Sequence, residues 1–432
     1  MAKTVYLTTS TDTIHGGHIN IIKKAAELGE LTVGVLADEA VAGYKRYPLL
    51  CYEERAALFA GLKGVARVVR QESHGYRDCL LKYRPDILVH GDDWLEGNLK
   101  PLRDEAIFVL DSYGGKLVEF PYTRKEQYDL IENIRESQAS IPDVRRGRLK
   151  KLLELKPLVT AMEAHNGLTG LIVEKAKHFE AGGTRQFDAM WVSSLCDSTA
   201  KGKPDIELVD LSSRVRTIDE IMEVTTKPII VDGDTGGLLE HFSYTVRTLE
   251  RMGVSAVIIE DKTGLKRNSL LGDEVLQTQC DIPSFCDKIS AGKASLKTKD
   301  FMVIARIESF ILGKGQEDAL ARAAAFVEAG ADGIMIHSRQ KTPGEVFGFA
   351  EKFRENNKIT PLVIVPSSFS TVSEPDCLGK GINIVIYANQ LIRSAFPAMM
   401  GTAQSILKHQ RAFEAEGDLM SINEIITLIP ER

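Results

Sequence analysis

No run of apolar residues in this chain is long enough to span a membrane, its six cysteines include no CxxC pair and no metal-ligand spacing, and it carries no surplus of positive charge. The first absence argues against membrane insertion. The second, with Cys51, Cys79, Cys196, Cys280, Cys286 and Cys377 scattered along the chain, argues against a disulfide framework or structural zinc and predicts a reduced, cytoplasmic setting. Met1 leads into the strand-like KTVYLTT without the basic, apolar and small-residue succession of a signal peptide, which agrees with that expectation. The third absence, a formal net charge of -6, gives no support for nucleic-acid binding. Any anionic substrate must therefore be met by local positive charge.

What is present is an ordinary globular composition, 44% hydrophobic and 26% charged, over 432 residues. That exceeds the length one core usually organises, so two domains are expected. Residues 3–123 alternate short apolar runs (VYLTT, LTVGVL, ARVVRQ, ILVHG, KLVEFPY) with amphipathic stretches such as HINIIKKAAELG, the pattern of a small α/β domain with a parallel sheet. The apolar runs then stop, and RESQASIPDVRRGRLKKLLELK reads as a charged connector, helical or partly flexible. The expected division is a first domain at 1–135, a linker at 136–156 and a second domain at 157–432.

The second domain repeats a short apolar strand followed by a helical segment eight times: LVTAME, DAMWVSS, PIIVDGD, AVIIEDK, MVIARIES, GIMIHS, LVIVPSS and NIVIYAN. Eight such units predict a (β/α)₈ barrel. Nearly every strand closes on a polar residue: Glu163, Ser193, Asp232 with Asp234, Glu260 with Lys262, Arg306 with Glu308, His337, Ser367 and Asn389. In a barrel these ends share one face, where the fold places its chemistry. Any single one reads equally well as a solvated loop residue or a mouth ion pair; the convergence is what points to a site. Asp232, Asp234 and Glu260 on neighbouring strands, with no Cys or His among them, favour a hard oxygen-liganded cation, Mg²⁺, over zinc. Arg306 and His337 supply donors for a carboxylate or a phosphate. The segment EDKTGLKRNSLLG at 260–272 follows the fourth strand and is placed to cover the mouth and exclude water.

These features resemble the phosphoenolpyruvate mutase branch of the isocitrate lyase superfamily from about Pro157 to the C-terminus. The likeness rests on MEAHNGL (162–168), WVSSL (191–195), KGKPD (201–205), DGDTGG (232–237), EDKTGLKRNSL (260–270), ARIES (305–309) and IMIHSRQK (334–341). It implies interconversion of phosphoenolpyruvate and phosphonopyruvate, with Asp232 contacting Mg²⁺ and Asp234 and Glu260 holding its waters. It further implies that Arg306 and His337 meet the substrate and that Ser193, Ser194 and Leu195 line the pocket, with Trp191 behind them. Asp205 falls where the family carries its essential aspartate, as nucleophile or as guide for the phosphoryl group. Lys262, Lys266, Asn268 and Ser269 are the expected covering residues. The stretch KRNSL stands where carbon–carbon lyases of the superfamily carry a KKCGH-type catalytic cysteine. Asn268 separates mutases from the related phosphonopyruvate hydrolases, which typically lack it. Association into a dimer or tetramer through the C-terminal helices, around MMGTAQSILKHQRAF, is likewise implied only by the resemblance.

The first domain resembles the glycerol-3-phosphate and phosphonate cytidylyltransferases through TTSTDTIHGGH, YKRYP, YEER and HGDDW. HGGH at 15–18 opens a helix after the first strand, a position suited to phosphate. The resemblance implies a CTP site using Thr8, Thr9, His15, His18, Lys45 and Asp92. A GISST-type run is expected after VEFPYT, but the chain reads YTRKEQYDLIEN at 122–133, where Arg124 and Lys125 offer charge but no hydroxyl run. CMP transfer to a phosphonate and a non-catalytic nucleotide-binding role both stay open here.

Overall fold

The computed structural model describes residues 2–44, 48–95, 99–121, 140–180, 183–264, 266–269 and 277–429. Lys45, Arg46, the stretch 122–133 and part of 136–156 on which expectations were placed lie outside or partly outside those residues.

The N-terminal domain runs β1 (Thr4–Thr9), α1 (Gly16–Leu28), β2 (Glu30–Leu36), α2 (Asp38–Tyr44), α3 (Tyr52–Ala60), β3 (Val65–Gln71), α4 (Arg77–Tyr83), β4 (Ile87–Gly91), α5 (Lys100–Asp111) and β5 (Lys116–Phe120). Its five strands, the five read from the sequence, form a parallel sheet in the order β3-β2-β1-β4-β5. Strand alternation divides its core. Val5 and Leu7 pack with Ile22 and Phe59 on one face, while Tyr6 packs with Leu80, Trp94 and Val109 on the other. The order reverses at β1, so the carboxyl ends of β1 and β4 flank the crevice where such sheets take ligands.

Beyond α6 (Pro142–Leu155) the chain forms β6 (Val159–Glu163), α7 (Gly167–Lys175), β7 (Lys177–Glu180), β8 (Gly183–Gln186), β9 (Ala189–Val192), α8 (Ser194–Ala200), α9 (Leu211–Val224), β10 (Ile229–Asp232), α10 (Leu239–Met252), β11 (Ala256–Glu260), β12 (Lys262–Thr263), β13 (Thr278–Gln279) and α11 (Ile282–Ser295). It continues through β14 (Met302–Ile307), α12 (Gly315–Glu328), β15 (Gly333–Ile336), α13 (Gly344–Asn356), β16 (Leu362–Ile364), α14 (Glu374–Gly379), β17 (Ile384–Tyr387) and α15 (Gln390–His409) to α16 (Ile422–Thr427). Eight parallel strands close into a barrel in the order β10-β11-β14-β15-β16-β17-β6-β9. These are the eight strands read from the sequence. The short antiparallel pairs β7–β8 and β12–β13 were not anticipated.

Alternate residues of each strand fill the barrel interior, among them Val159, Ala161, Trp191, Ile258, Ile304 and Ile386. The others, such as Val231, Val257 and Ile307, pack outward against the helices. Leu149 and Leu152 of α6, joined by Ala42 of α2, belong to the interior cluster. The charged stretch expected as a connector thus contains a helix built into the barrel. Its arginines are buried. Arg145 donates to the Thr225 carbonyl at 3.1 Å, Arg146 to the Glu250 carbonyl at 3.2 Å, and Arg148 to the Thr226 carbonyl. These carbonyls lie at the C-terminal ends of α9 and α10, where main-chain acceptors lack helical partners and cations are favoured.

At the other end of the domain α15 buries none of its residues, and Phe396, Met399 and Leu407 are 64%, 70% and 79% exposed. Its base is fixed, because the Ile392 N–H donates to the buried Glu163 carboxylate at 2.7 Å. Among the described residues no helix is long and apolar enough to cross a membrane.

Arg146→Ala should destabilise the barrel by about 1–3 kcal/mol, because it empties a buried site and takes one of two donors from the Glu250 carbonyl, which keeps only the Gly253 N–H. Urea unfolding of the parent and the variant, both in a Trp94→Phe background so that Trp191 fluorescence reports the barrel alone, checks this.

Candidate active site

The carboxyl ends of the barrel strands meet around one pocket of about 530 Å³, its open mouth included. Twelve of the residues expected in the site line it: Trp191, Ser193, Ser194, Leu195, Asp205, Asp232, Glu260, Lys266, Asn268, Ser269, Arg306 and His337. Asp234 and Lys262 stand directly behind, both buried and both touching lining residues. Met335, Val365, Ser367, Ala388 and Asn389 complete the wall. Of these, Ser367 and Asn389 carried a signal as polar strand ends; the three apolar ones were indistinguishable from core.

The acids are set by the turn after β10. Gly233 separates Asp232 from Asp234 because a Cβ there would meet Val257 Cγ2 at 2.7 Å. Asp234 sits at φ 52°, a left-handed conformation uncommon for a residue other than glycine. Arg214 of α9 holds this turn from beneath, donating to the Asp232 carbonyl at 2.5 Å and pairing with Asp234 Oδ2 at 2.5 Å. Asp232 Oδ2 accepts from Ser194 Oγ at 2.8 Å and from the Ser194 N–H at 3.2 Å. Burial would raise the Asp232 pKa, but the charges of Lys266, Arg214 and Arg306 bring it below the usual carboxylate value. For Asp234 burial outweighs the same charges, and its pKa is raised. Glu260, at the end of β11, is pushed up to about 7 by burial, against the pull of Arg306 at 3.5 Å and Lys262 at 3.1 Å.

Cationic side chains answer these acids. Arg306 donates to Glu308 at 2.6 Å and to Ser269 Oγ at 2.7 Å. Glu308 is buried, yet Arg306 and Lys262 hold its pKa down at about 2. Lys262 Nζ reaches Ser269 Oγ at 2.9 Å and the Arg267 carbonyl at 3.0 Å. Lys266 Nζ bridges Ser194 Oγ at 2.5 Å, Asp205 Oδ1 at 2.6 Å and Asp234 Oδ1. Asn268 Nδ2 donates to the other Asp205 oxygen at 2.9 Å. Burial lowers the His337 pKa to about 3, reinforced by Arg306. Its imidazole is therefore neutral at physiological pH.

Three buried polar atoms in the wall, Trp191 Nε1, His337 Nδ1 and Ser367 Oγ, make no hydrogen bond within the described protein, which suits them to contact a bound ligand. Among the described residues no three His, Cys, Asp or Glu side chains gather closely enough to enclose a metal ion. Mg²⁺ needs no such cage, since it keeps several waters and takes one or two carboxylates. The donor set fits it: Asp232, Asp234 and Glu260 offer oxygen ligands, and Glu260 Oε1 is buried without a hydrogen bond, met by the Lys262 ammonium.

In the N-terminal domain, His15 caps α1 through Nδ1 to the Gly17 N–H at 3.1 Å, and His18 Nδ1 accepts from the His15 N–H at 3.4 Å. The two rings lie 4.0 Å apart. Thr8 and Thr9 end β1, and Asp92 follows β4, so these residues share the crevice edge of the sheet. Lys45 lies outside the described residues.

Fold and site define a two-domain α/β protein whose barrel gathers acids and cations around one pocket and whose first domain is a Rossmann-like parallel sheet. Residues 149–407 match the phosphoenolpyruvate phosphomutase family, and the chain belongs to that family. Residues 6–145 match the cytidylyltransferase-like family. A phosphoenolpyruvate phosphomutase of Tetrahymena pyriformis is 36% identical over 65% of this chain and 90% of its own length. A phosphonopyruvate hydrolase of a Variovorax species is 37% identical over 65% of this chain and 93% of its own. Among solved structures, a phosphoenolpyruvate phosphomutase of Streptomyces platensis subsp. rosaceus aligns with TM-score 0.59 and 32% identity, over 65% of this chain and 93% of that one. A phosphonopyruvate hydrolase solved with oxalate and Mg²⁺ aligns with TM-score 0.55 and 36% identity, over 63% and 89%.

Because the folded His337 pKa of about 3 lies below the ordinary 6.5, the stability gained by keeping this imidazole neutral is complete above pH 6.5 and lost as pH falls through that value toward 3. Its ring ¹⁵N shifts should stay flat from about pH 8 to 5.5, where an exposed histidine titrates.

Proposed function

We propose that the barrel is a phosphoenolpyruvate mutase, an isomerase that interconverts phosphoenolpyruvate and 3-phosphonopyruvate in phosphonate biosynthesis. The observation carrying this reading is the double hold on Asp205, whose two oxygens are fixed by Lys266 and Asn268 over the pocket. Moving a phosphoryl group without losing it requires a fixed partner and exclusion of water. The P–O bond of phosphoenolpyruvate breaks and the P–C3 bond forms; substrate and product are isomers, so no proton or co-reactant enters. Asp205 takes the phosphoryl group and returns it, or orients it while the enolate turns to present carbon. Arg306 and the neutral His337 hold substrate oxygens, Lys262 and Lys266 offset developing charge, and Ser193, Ser194, Leu195 and Trp191 shape the wall.

We assign Mg²⁺ as the cofactor, with Asp232 as its direct ligand and Asp234 and Glu260 holding its waters. When bound, it supplies Lewis-acid polarisation of the substrate's oxygens.

One observation favours a second reading: the hydrolase relative is as similar to this chain as the mutases are. Asn268 decides for the mutase, because its bond to Asp205 ties the covering segment to the residue that handles the phosphoryl group.

The N-terminal domain is proposed to bind CTP through His15, His18, Thr8, Thr9, Asp92 and Lys45 and to transfer CMP to a phosphonate, with non-catalytic nucleotide binding as the alternative. We place the barrel unit's start at α6, since its arginines and leucines are spent on the barrel. A homo-oligomer is proposed from the bare apolar face of α15, which a second copy would cover, and the solution mass checks it. The six unpaired cysteines suit a reducing, cytoplasmic compartment.

Incubated with Mg²⁺ and phosphonopyruvate, the protein should give the ³¹P signal of phosphoenolpyruvate, and Asp205→Ala should slow this by about 10²–10³-fold or more. Inorganic phosphate as the sole product would instead establish a hydrolase. Titration calorimetry with CTP should give binding that His15→Ala weakens; unaltered binding would remove His15 from the nucleotide site.

A further inference from the structure

The residue after Glu260 organises a second polar hub, on the side of β11 away from the pocket. Asp261 is fully buried. Its Oδ1 accepts the Glu308 N–H at 2.8 Å, and its Oδ2 accepts Gln279 Nε2 at 2.9 Å and Arg322 at 3.0 Å. Its main chain works in parallel, donating to the Arg306 carbonyl at 3.0 Å and accepting from the Cys280 N–H at 2.8 Å. Arg322 of α12 donates also to the Cys280 carbonyl at 2.8 Å and pairs with Asp318 at 2.9 Å. Ser309 closes the ring between Gln279, at 3.1 Å, and Asp318, at 2.7 Å.

One carboxylate therefore joins the strand end carrying Arg306 and Glu308 to both legs of the segment that covers the pocket, β12 going out and β13 returning. Among the described residues the ladder between those legs pairs Lys262 with Gln279 and Thr263 with Thr278. Lys262, the next residue along, sends its ammonium to the Arg267 carbonyl, Ser269 and Gln277, so a shift at the legs passes directly to the covering residues.

We propose that Asp261 and Arg322 are positioning residues that set where Lys262, Lys266, Asn268 and Ser269 sit over the pocket, and so decide whether the phosphoryl group reaches C3 or is lost to water. This rests on the mutase reading. In the loss reaction water adds to phosphorus and its proton goes to C3 of the enolate, giving phosphate and pyruvate. The chemistry of the hub is specific. Both Asp261 oxygens accept from donors, so Asp261→Asn, nearly the same in shape, must turn an N–H₂ group toward a donor whichever way its amide is oriented. Arg322→Lys keeps the charge but cannot reach Asp261, Cys280 and Asp318 together.

The test is the ratio of inorganic phosphate to phosphoenolpyruvate formed from phosphonopyruvate and Mg²⁺ by the full chain, read by ³¹P NMR. Unfolded molecules make neither product, so the ratio is independent of the active fraction and a merely structural defect does not move it. Asp261→Asn should raise the ratio at least tenfold, and Arg322→Lys several-fold. Gln279→Met, which removes the side-chain bonds from β13 to Asp261 and Ser309, should raise it in the same direction and serves if Asp261→Asn fails to fold. If the parent forms phosphoenolpyruvate and the ratio is unchanged in all the variants that fold, the positioning role is overturned while the mutase reading stands. If the parent releases phosphate alone, the mutase reading fails and the positioning role falls with it.

Discussion

Everything at the barrel mouth depends on keeping a crowd of opposed charges out of water. Asp205, Asp232, Asp234, Glu260 and Glu308 face Arg214, Lys262, Lys266 and Arg306 within one buried or nearly buried network. Desolvating such groups costs several kcal/mol each unless every one is paired in good geometry. The local structure follows from that demand. Asp234 adopts its left-handed turn so that its two oxygens meet Arg214 and Lys266. Lys262 and Lys266 of the covering segment neutralise the carboxylates beneath them. Glu308, held well below the usual carboxylate range by Arg306 and Lys262, sits beside Glu260, which burial lifts.

The same physics decides what could be read from the sequence. Barrel strands are buried on both faces and appear as short continuous apolar runs, so all eight were legible, and their polar last residues marked the face that carries the site. The place of helix α6 in the barrel was not legible, because Arg145, Arg146 and Arg148 look like a solvated charge run; nothing local reveals that their guanidiniums end on carbonyls 78 to 104 residues away. Met335, Val365 and Ala388 line the pocket but match any core residue in type. Arg214 and Arg322 were missed because each acts across a long sequence gap on a residue whose own motif hides the need for a partner. Asp261 stood in plain sight inside EDK, but which of two adjacent acids faces the pocket is a matter of strand alternation that only the barrel register settles.

The N-terminal domain obeys an independent logic. Its sheet reverses order at β1, and the histidines of HGGH are held there by a reciprocal cap in which each ring serves a backbone N–H at the start of α1. That cap fixes the rings at the helix end most favourable to phosphate. On the proposed functions both halves of the chain handle phosphoryl groups, one with main-chain dipoles and imidazoles, the other with a buried carboxylate and ammonium network. Contact between them includes α2, whose Ala42 packs with Leu149 and Leu152 of α6, and α5, which meets β7.

The central claim, that the mouth network is arranged for a divalent cation at Asp232 with Asp234 and Glu260 behind it, is tested most directly by the thermal unfolding of the full chain as Mg²⁺ is titrated. The account predicts a barrel transition that rises steadily with Mg²⁺, reaching about 2.7 kcal/mol of added stability at a hundredfold excess over the dissociation constant, and a flat response in Asp232→Ala. A parent transition indifferent to Mg²⁺, or an equal rise in Asp232→Ala, would contradict it.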